Sequence, residues 1–90
     1  MGEKKKILIV DDNEINCSML EHIFRNEYEV LIAHNGKEAL NILSEHSSQI
    51  CAIILDLLMP VMNGYDFLEQ MRLVDKYSNI PVIVVTVDDD

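Results

Sequence analysis

Three carboxylates and one hydroxyl stand at the ends of apolar runs in this sequence, and they are the side chains best suited to chemistry. They are Asp11, Asp12, Asp56 and Thr86. A carboxylate that follows a buried strand can face a crevice, which is where ligands bind in open α/β sheets. Carboxylate oxygens are also the ligands that Mg²⁺ prefers. A cation site is therefore indicated if the three acids lie close together in the fold.

The apolar runs that precede these residues have the length and composition of buried strands. Four such runs are present, at 7–10, 30–33, 50–55 and 80–86. The last is rich in β-branched residues, and its Pro81 lies near the start of the strand, where proline is tolerated. Continuous apolar runs of this kind are typical of strands that are buried on both faces of a parallel sheet.

Helical patterns alternate with the strands, and the first of them is the most distinct. It is predicted to begin at the N-cap Asn13, with Glu14 in the first turn, and to end near residues 25–26. Its apolar residues recur with helical spacing and form one stripe, which we expect to pack in the core. The stripe consists of Ile15, Met19, Leu20, Ile23 and Phe24.

The second and third helical patterns are shorter. The second is predicted over 36–43 and is followed by a polar loop at 44–49. The third is preceded by a turn-rich connector at 59–64, in which Asn63 and Gly64 suit backbone positions with φ > 0. The order of elements is β-α-β-α-β-α-β, with connections too long for hairpins. We therefore predict parallel strands joined by right-handed crossovers.

Parallel connectivity brings the C-terminal ends of all four strands to one edge of the sheet. If the first and third strands are neighbours, Asp11, Asp12 and Asp56 converge there. Their negative charges would repel one another, and a hard divalent cation such as Mg²⁺ would remove the conflict. The alternative is that Asp11 and Asp12 serve only as acids at the start of a helix. That alternative leaves the matching position of Asp56 unexplained.

Composition bounds the class of protein. Ninety residues allow one domain. The net charge of −9 argues against direct binding of nucleic acid by this chain through phosphate contacts. The two cysteines, Cys17 and Cys51, form neither a disulfide framework nor a CxxC metal site, and we expect both to be reduced. No apolar stretch has the length of a signal peptide core or a membrane span, so we expect a cytoplasmic protein without membrane contact.

Four stretches of the sequence, in order, carry the pattern of a known family. They are ILIVDDN at 7–13, AHNGKEAL at 33–40, ILDLLMPVMNG at 54–64 and IPVIVVT at 80–86. Through them the chain resembles the receiver domain of two-component response regulators, over nearly its whole length. The resemblance implies an α/β fold of the flavodoxin-like class. In this fold a doubly wound parallel sheet would hold the four strands in the order 2-1-3-4.

The resemblance also implies a role for each matching residue. Asp56 would be the phosphoacceptor, which takes a phosphoryl group from a phosphohistidine on a partner protein. Asp12 would bind Mg²⁺ directly, Asp11 would act mainly through metal-bound water, and the backbone carbonyl of Leu58 would supply a further ligand. Thr86 would be the switch hydroxyl that hydrogen-bonds the phosphoryl oxygen.

The function implied by the resemblance is that of a signalling domain and not of an enzyme. Phosphorylation would switch its conformation and thereby control an output. Its partners would be a sensor histidine kinase or a phosphotransfer protein on one side, and an output domain or downstream protein on the other. Mg²⁺ would be its cofactor, because phosphoryl transfer depends on positioning and charge neutralisation.

The sequence departs from the family after the fourth strand. A receiver domain has a fifth strand that ends in a lysine, and two further helices, and no residue of this chain takes the place of that lysine. We therefore interpret residues 1–90 as a partial receiver domain. Either the chain is a fragment of a longer protein, which we favour, or a second chain covers the fourth strand. Left bare, that strand would be an apolar edge that promotes self-association.

Two other functions stay open. One is a phosphorylation-incompetent receiver fragment that acts only as a protein–protein interaction module, which the missing lysine favours. A weaker alternative is a metal-dependent phosphohydrolase of another α/β class. Such enzymes often carry Asp-x-Asp after the first strand, whereas Asp56 is followed here by Leu57 and Leu58. Dinucleotide binding is disfavoured because the sequence lacks a GxGxxG motif.

Overall fold

The structure is a computed structural model, and it describes residues 4–57, 59 and 62–85. Within this part of the chain, four strands alternate with three helices. The strands are β1 (Lys6–Val10), β2 (Glu29–Ala33), β3 (Ile50–Leu55) and β4 (Val82–Val84), and the helices are α1 (Glu14–Phe24), α2 (Gly36–His46) and α3 (Gly64–Arg72). Short 3₁₀ turns occur at Ser47–Gln49 and Asp75–Tyr77. No helix among the described residues combines the length and the apolar character that crossing a membrane requires.

The strands form one parallel sheet in the order β2-β1-β3-β4, which confirms the predicted order and fold class. At the end of β1, Val10 lies opposite Ala33 of β2 on one side and Leu55 of β3 on the other. On the far side of β3, Leu55 lies opposite Val84 of β4. The C-terminal ends of all four strands are therefore level, and the residues that follow them lie along one edge of the sheet.

Helices cover both faces of the sheet, as the doubly wound arrangement requires. Successive residues of a strand point to opposite faces. Leu8 and Val10 of β1 accordingly pack with residues of α2 and α3, whereas Ile7 and Ile9 pack with Cys17 of α1. All of these side chains are buried. Burial on both faces explains why β1 and β3 appear in the sequence as continuous apolar runs.

Each helix begins at an asparagine whose side-chain oxygen accepts a backbone N–H of the first turn. The capping residues are Asn13, Asn35 and Asn63, and their donors are the N–H groups of Asn16, Glu38 and Asp66 at 3.0, 2.9 and 2.9 Å. A cap of this kind satisfies an N–H group that has no partner within the helix and stabilises it by about 1 kcal/mol. The predicted cap at Asn13 is confirmed.

α2 is longer than the pattern 36–43 indicated. The helix continues to His46, and the expected polar loop at 44–49 is instead a last helical turn followed by a 3₁₀ turn. Ser44 is accommodated because its hydroxyl donates a hydrogen bond to the carbonyl of Asn41 at 2.7 Å. Polar residues on the outer side of a helix therefore look like a loop when the sequence is judged by composition alone.

The prediction that the apolar stripe of α1 packs in the core is wrong for three of its five residues. Ile15, Met19 and Ile23 are 72%, 57% and 64% exposed. Leu20 and Phe24 are half-buried and pack with the buried Cys17 against the sheet. α1 packs mainly on β1 and β2, and the row of residues spaced by four on its outer flank is left exposed among the described residues.

The expectation of positive φ at Asn63 and Gly64 is also wrong. Asn63 has a φ of −65° and a ψ of 172°, which is the extended backbone of a helix N-cap. The residue with left-handed backbone is Met62, which precedes Asn63 and has a φ of 47°. Neither Gly36 nor Gly64 has a positive φ, so each of these glycines must be explained by something other than backbone freedom.

β4 lies at the edge of the sheet and is shorter than the predicted run 80–86. It spans Val82–Val84, and Thr86 lies outside the described residues. Its side chains are poorly covered, since Ile83 is 53% and Val84 is 46% exposed. An exposed apolar edge strand is a template for pairing with another strand.

We expect the ninety-residue chain to self-associate through β4, with a solution mass above that of the monomer. Ile83→Lys should return the chain to a monomer, because a lysine on an edge strand opposes pairing. The measurement is light scattering coupled to size exclusion over a series of concentrations. Ile23→Lys is the matched control, since it removes an isoleucine of α1 that is at least as exposed as Ile83. A wild-type chain that is monomeric throughout would contradict the expectation.

Candidate functional site

The edge of the sheet formed by the ends of β1 and β3 holds the acidic cluster. The backbone N–H of Asp56 donates to the carbonyl of Val10 at 2.9 Å, which extends the pairing of the two strands by one residue. Asp56 is thereby placed beside Asp11 and Asp12. One carboxylate oxygen from each of the three residues lies within 4.8 Å of the other two. The predicted convergence of the three acids is confirmed.

Asp11 is the buried member of the cluster and is held firmly in place. Its side chain is hydrogen-bonded to the start of α1. Oδ1 accepts a hydrogen bond from the backbone N–H of Asn13 at 2.9 Å, and Oδ2 accepts one from Nδ2 of Asn16 at 3.4 Å. Its own backbone N–H donates to the carbonyl of Ala33 at the end of β2. The residue is 7% exposed. These contacts hold the orientation of the carboxylate before any ligand binds.

The other two carboxylates face a solvent-filled opening. Asp56 is half-buried and Asp12 is exposed. They border a cavity of about 290 Å³ that is lined by Asp11, Asp12, Asn13, Asn16, Met19, Leu20, Asp56 and Val85. This lining combines carboxylate and amide oxygens with apolar side chains. A hard cation that keeps several of its waters fits such a donor set.

The charge of the cavity lining is negative. Among the described residues that line it there is no lysine or arginine. Three carboxylates within such a short distance repel one another in the absence of a positive charge. The residues present therefore fit a divalent cation, which would offset the charge of the acids.

Cys17 forms part of the support beneath the cluster. Its thiol donates to the backbone carbonyl of Asp11 at 3.3 Å, and the residue is buried and has no disulfide partner. Burial, followed by the negative charges of Asp11, Asp12 and Glu14, raises the pKa of the Cys17 thiol to about 11. Cys17 is therefore a buried residue that touches the site through the backbone of Asp11.

We expect the stability of the chain to fall between about pH 9 and pH 11 through deprotonation of Cys17. The unperturbed pKa of the thiol is 9.0 and the folded-state pKa is about 11. Over that interval the folded state holds a proton that the unfolded state has lost, so stability decreases as pH rises. A difference of two pKa units corresponds to roughly 2.7 kcal/mol.

The measurement is urea unfolding of the metal-free chain, with EDTA present, at a series of pH values. Cys17→Ala should remove this part of the decrease, whereas Cys51→Ala should retain it, because Cys51 lies on β3 away from the acids. The quantity of interest is the difference between the two variants, because contributions from groups other than the two thiols cancel in it. The same pH dependence in both variants would contradict the assignment.

The structure brings together three of the five residues that the sequence singled out for the site. Leu58 and Thr86 lie outside the described residues, so the roles expected for them stay predictions. Sequence reasoning missed Asn16, whose side chain reaches Asp11. The available signal was its position in the first turn of α1, three residues after the cap, where side chains point back toward the strand end.

Comparison with known proteins agrees with this geometry. The family model of the response regulator receiver domain matches residues 7–90. The probable transcriptional regulator ycf29 of Porphyra purpurea is 34% identical over 80 residues, which are 89% of this chain and 37% of that protein. The polar-differentiation response regulator DivK of Brucella anthropi is 32% identical over 83 residues, covering 91% of this chain and 66% of that protein. The chain thus spans only part of the length of these relatives.

Solved structures show the same architecture. A response regulator receiver protein from Pseudomonas putida superposes with a TM-score of 0.86 and 26% identity, covering 100% of this chain and 74% of that one. The chemotaxis protein CheY4 of Vibrio cholerae gives a TM-score of 0.85 at 31% identity, with 98% and 72% of the two chains covered. Similarity therefore extends through the strand ends that carry the acidic cluster.

Proposed function

Because the chain belongs to the response regulator receiver domain family, we propose that it accepts a phosphoryl group on Asp56 and acts as a signalling switch. The observation that carries the proposal is the convergence of Asp11, Asp12 and Asp56, with oxygens within 4.8 Å of one another, at the ends of two adjacent strands. The donor would be a sensor histidine kinase or a phosphotransfer protein. The effect would pass to an output domain or a downstream protein.

The three carboxylates have different environments, which supports different roles. Asp12 is exposed and is proposed as a direct ligand of Mg²⁺ together with Asp56. Asp11 already accepts hydrogen bonds on both carboxylate oxygens, so we propose that it acts mainly through water bound to the ion. When bound, Mg²⁺ supplies positive charge that offsets the acids and the incoming phosphoryl group.

The chemical step requires little beyond a positioned nucleophile. A carboxylate oxygen of Asp56 attacks the phosphorus atom, and a new O–P bond forms. The P–N bond to the donor imidazole breaks, and its electron pair stays on the imidazole nitrogen. Asp56 is half-buried and borders the cavity of about 290 Å³, which leaves space for a phosphoryl group to approach. Phosphorylation then adds negative charge at the strand edge, which can bias a two-state element.

Two further roles are proposed on the resemblance to the family. The backbone carbonyl of Leu58 would ligate the ion, and the hydroxyl of Thr86 would bind the phosphoryl oxygen. The described neighbour of Thr86 supports the second role, because the N–H of Val85 donates to the carbonyl of Leu55 at 2.8 Å. This bond keeps the chain beside the end of β3 at the point where it approaches Thr86. Residues 1–90 are proposed to be a partial receiver domain that acts in the cytoplasm.

The proposal is tested by intact-protein mass spectrometry after incubation with acetyl phosphate. With Mg²⁺ present, we expect a mass gain of one phosphoryl group, and with EDTA we expect none. The competing function, an interaction module without phosphoryl chemistry, predicts no gain under either condition from a chain that circular dichroism shows to be folded. That result would reject the phosphoacceptor function for this chain.

A further inference from the structure

The segment between β3 and α3 begins at the proposed acceptor and is closed by backbone hydrogen bonds from two glycines. The N–H of Gly64 donates to the carbonyl of Leu57 at 3.0 Å. The N–H of Gly36, the first residue of α2, donates to the carbonyl of Met62 at 3.1 Å. Leu57 is therefore bound to the start of α3, and Met62 is bound to the start of α2.

Gly64 lies so close to Asp56 that no side chain fits. A Cβ atom at this position would lie 2.6 Å from Cα of Leu57 and 2.8 Å from the backbone oxygen of Asp56. In real proteins a Cβ atom essentially never lies within 3.0 Å of an atom outside its own residue and its two chain neighbours. Because these neighbours are backbone atoms, a side chain would have to displace the peptide of the acceptor itself.

Gly36 makes the corresponding approach to Met62. A Cβ atom there would lie 2.6 Å from both the backbone oxygen and Cγ of Met62. Met62 is the residue with left-handed backbone, at a φ of 47°. A methionine in this conformation is held by its surroundings, and the bond from Gly36 is one of the contacts that hold it.

We propose that Gly64 and Gly36 are positioning residues for phosphoryl acceptance, which hold Leu57 and Met62 so that Asp56 lies beside Asp11 and Asp12 in the correct geometry. Neither glycine has a positive φ, so the absence of a Cβ atom is the property that these positions require. The inference rests on the proposed function, because it concerns the same carboxylate. It adds two residues that touch neither the ion nor the phosphoryl group.

The expected effect follows from the sensitivity of transfer reactions to position. Relief of the contacts at Gly64 requires a displacement of roughly 0.5–1 Å, and a misplacement of about 1 Å can slow a reaction by ~10²-fold. We expect Gly64→Ala to slow phosphoryl uptake from acetyl phosphate by ~10- to 100-fold at saturating Mg²⁺. Gly36→Ala should have a smaller effect in the same direction, because its contact is with Met62 and not with Asp56.

The experiment measures two quantities on the folded chain. One is the rate of phosphoryl uptake, and the other is the Mg²⁺ affinity by calorimetry without any phosphoryl donor. Asn41→Gly is the control, since it destabilises the exposed side of α2 by helix propensity alone, by about 0.3–0.5 kcal/mol. It should leave both quantities within about twofold of the wild type if stability alone has little influence.

A rescue variant separates positioning from general damage. Met62→Gly removes the side-chain atoms that a Cβ at residue 36 would meet, and it tolerates the left-handed backbone. Combined with Gly36→Ala, it should restore part of the lost rate and Mg²⁺ affinity. If Gly64→Ala does not fold, Gly36→Ala and its rescue decide the question alone.

The outcomes distinguish this inference from the proposed function. If the wild-type chain shows no Mg²⁺-dependent phosphoryl uptake, the proposed function is rejected, and the inference is rejected with it. Normal uptake in the wild type, with a rate and Mg²⁺ affinity unchanged in the folded glycine variants, overturns the inference alone. An Asn41→Gly variant that is impaired as much as Gly36→Ala would also overturn it, because the effect would then be one of stability.

Discussion

Replacement of Asp56 by asparagine is expected to abolish phosphoryl uptake, with a loss of more than ~10³-fold in rate, as for removal of other enzymatic nucleophiles. The amide group has nearly the shape of the carboxylate but lacks the negatively charged oxygen that attacks phosphorus. Asp56 lies at the C-terminal end of β3, with its backbone bound to Val10. The variant should therefore keep its fold while losing the nucleophile.

The neighbouring acids are poor substitutes for Asp56. Both carboxylate oxygens of Asp11 accept hydrogen bonds, and the residue is 7% exposed. Asp12 is exposed, but we propose it as a ligand of the ion, which would compete with its use as a nucleophile.

Intact mass after incubation with acetyl phosphate and Mg²⁺ measures the loss of phosphoryl uptake in Asp56→Asn. Asp75→Asn is the control, because it removes an exposed carboxylate in the 3₁₀ turn after α3. Continued uptake by Asp56→Asn would place the acceptor on another residue.

The strand order and the acidic cluster could be predicted from the sequence because both follow from chain direction. In a parallel sheet the residues after each strand necessarily lie at one edge. Asp11 and Asp56 each follow an apolar run directly, so only the adjacency of β1 and β3 was needed to bring them together. That adjacency came from the resemblance to a family, and the sheet confirms it.

The exposed flank of α1 could not be predicted in the same way. Five apolar residues with helical spacing define a broad stripe, but which part of it is buried depends on where the helix lies across the sheet. α1 covers β1 and β2 and leaves Ile15 and Ile23 in solvent. The position of a helix on a sheet depends on tertiary packing, and helical periodicity in the sequence does not determine it.

The connector before α3 shows a different limit. An Asn-Gly pair is commonly associated with positive φ, yet Gly64 is required by a close approach to Asp56, and the left-handed residue is Met62. Short contacts between backbone segments cannot be predicted from the composition or the periodicity of a sequence. The presence of a glycine was informative, but its physical reason could be read only from the folded chain.

Mg²⁺ is expected to stabilise the wild-type chain, because the folded state holds three carboxylates together and the unfolded state does not. A ligand that binds only the folded state at ten times its dissociation constant adds about 1.4 kcal/mol to the free energy of unfolding. For a domain of this size, that corresponds to a rise in Tm of roughly 5–10 °C. The measurement is thermal unfolding followed by circular dichroism, with and without millimolar Mg²⁺, and EDTA should reverse the shift.

Asp12→Asn is expected to abolish this shift and to raise the Tm of the metal-free chain. Removing one of three adjacent negative charges lessens their repulsion, whether or not an ion is present. The same substitution deprives the ion of its exposed carboxylate ligand. These two effects have opposite signs, and a general loss of stability cannot produce both. Asp75→Asn serves again as the control and should keep the wild-type response. A wild-type Tm that is unchanged by millimolar Mg²⁺ would show that the acidic cluster is not a metal site.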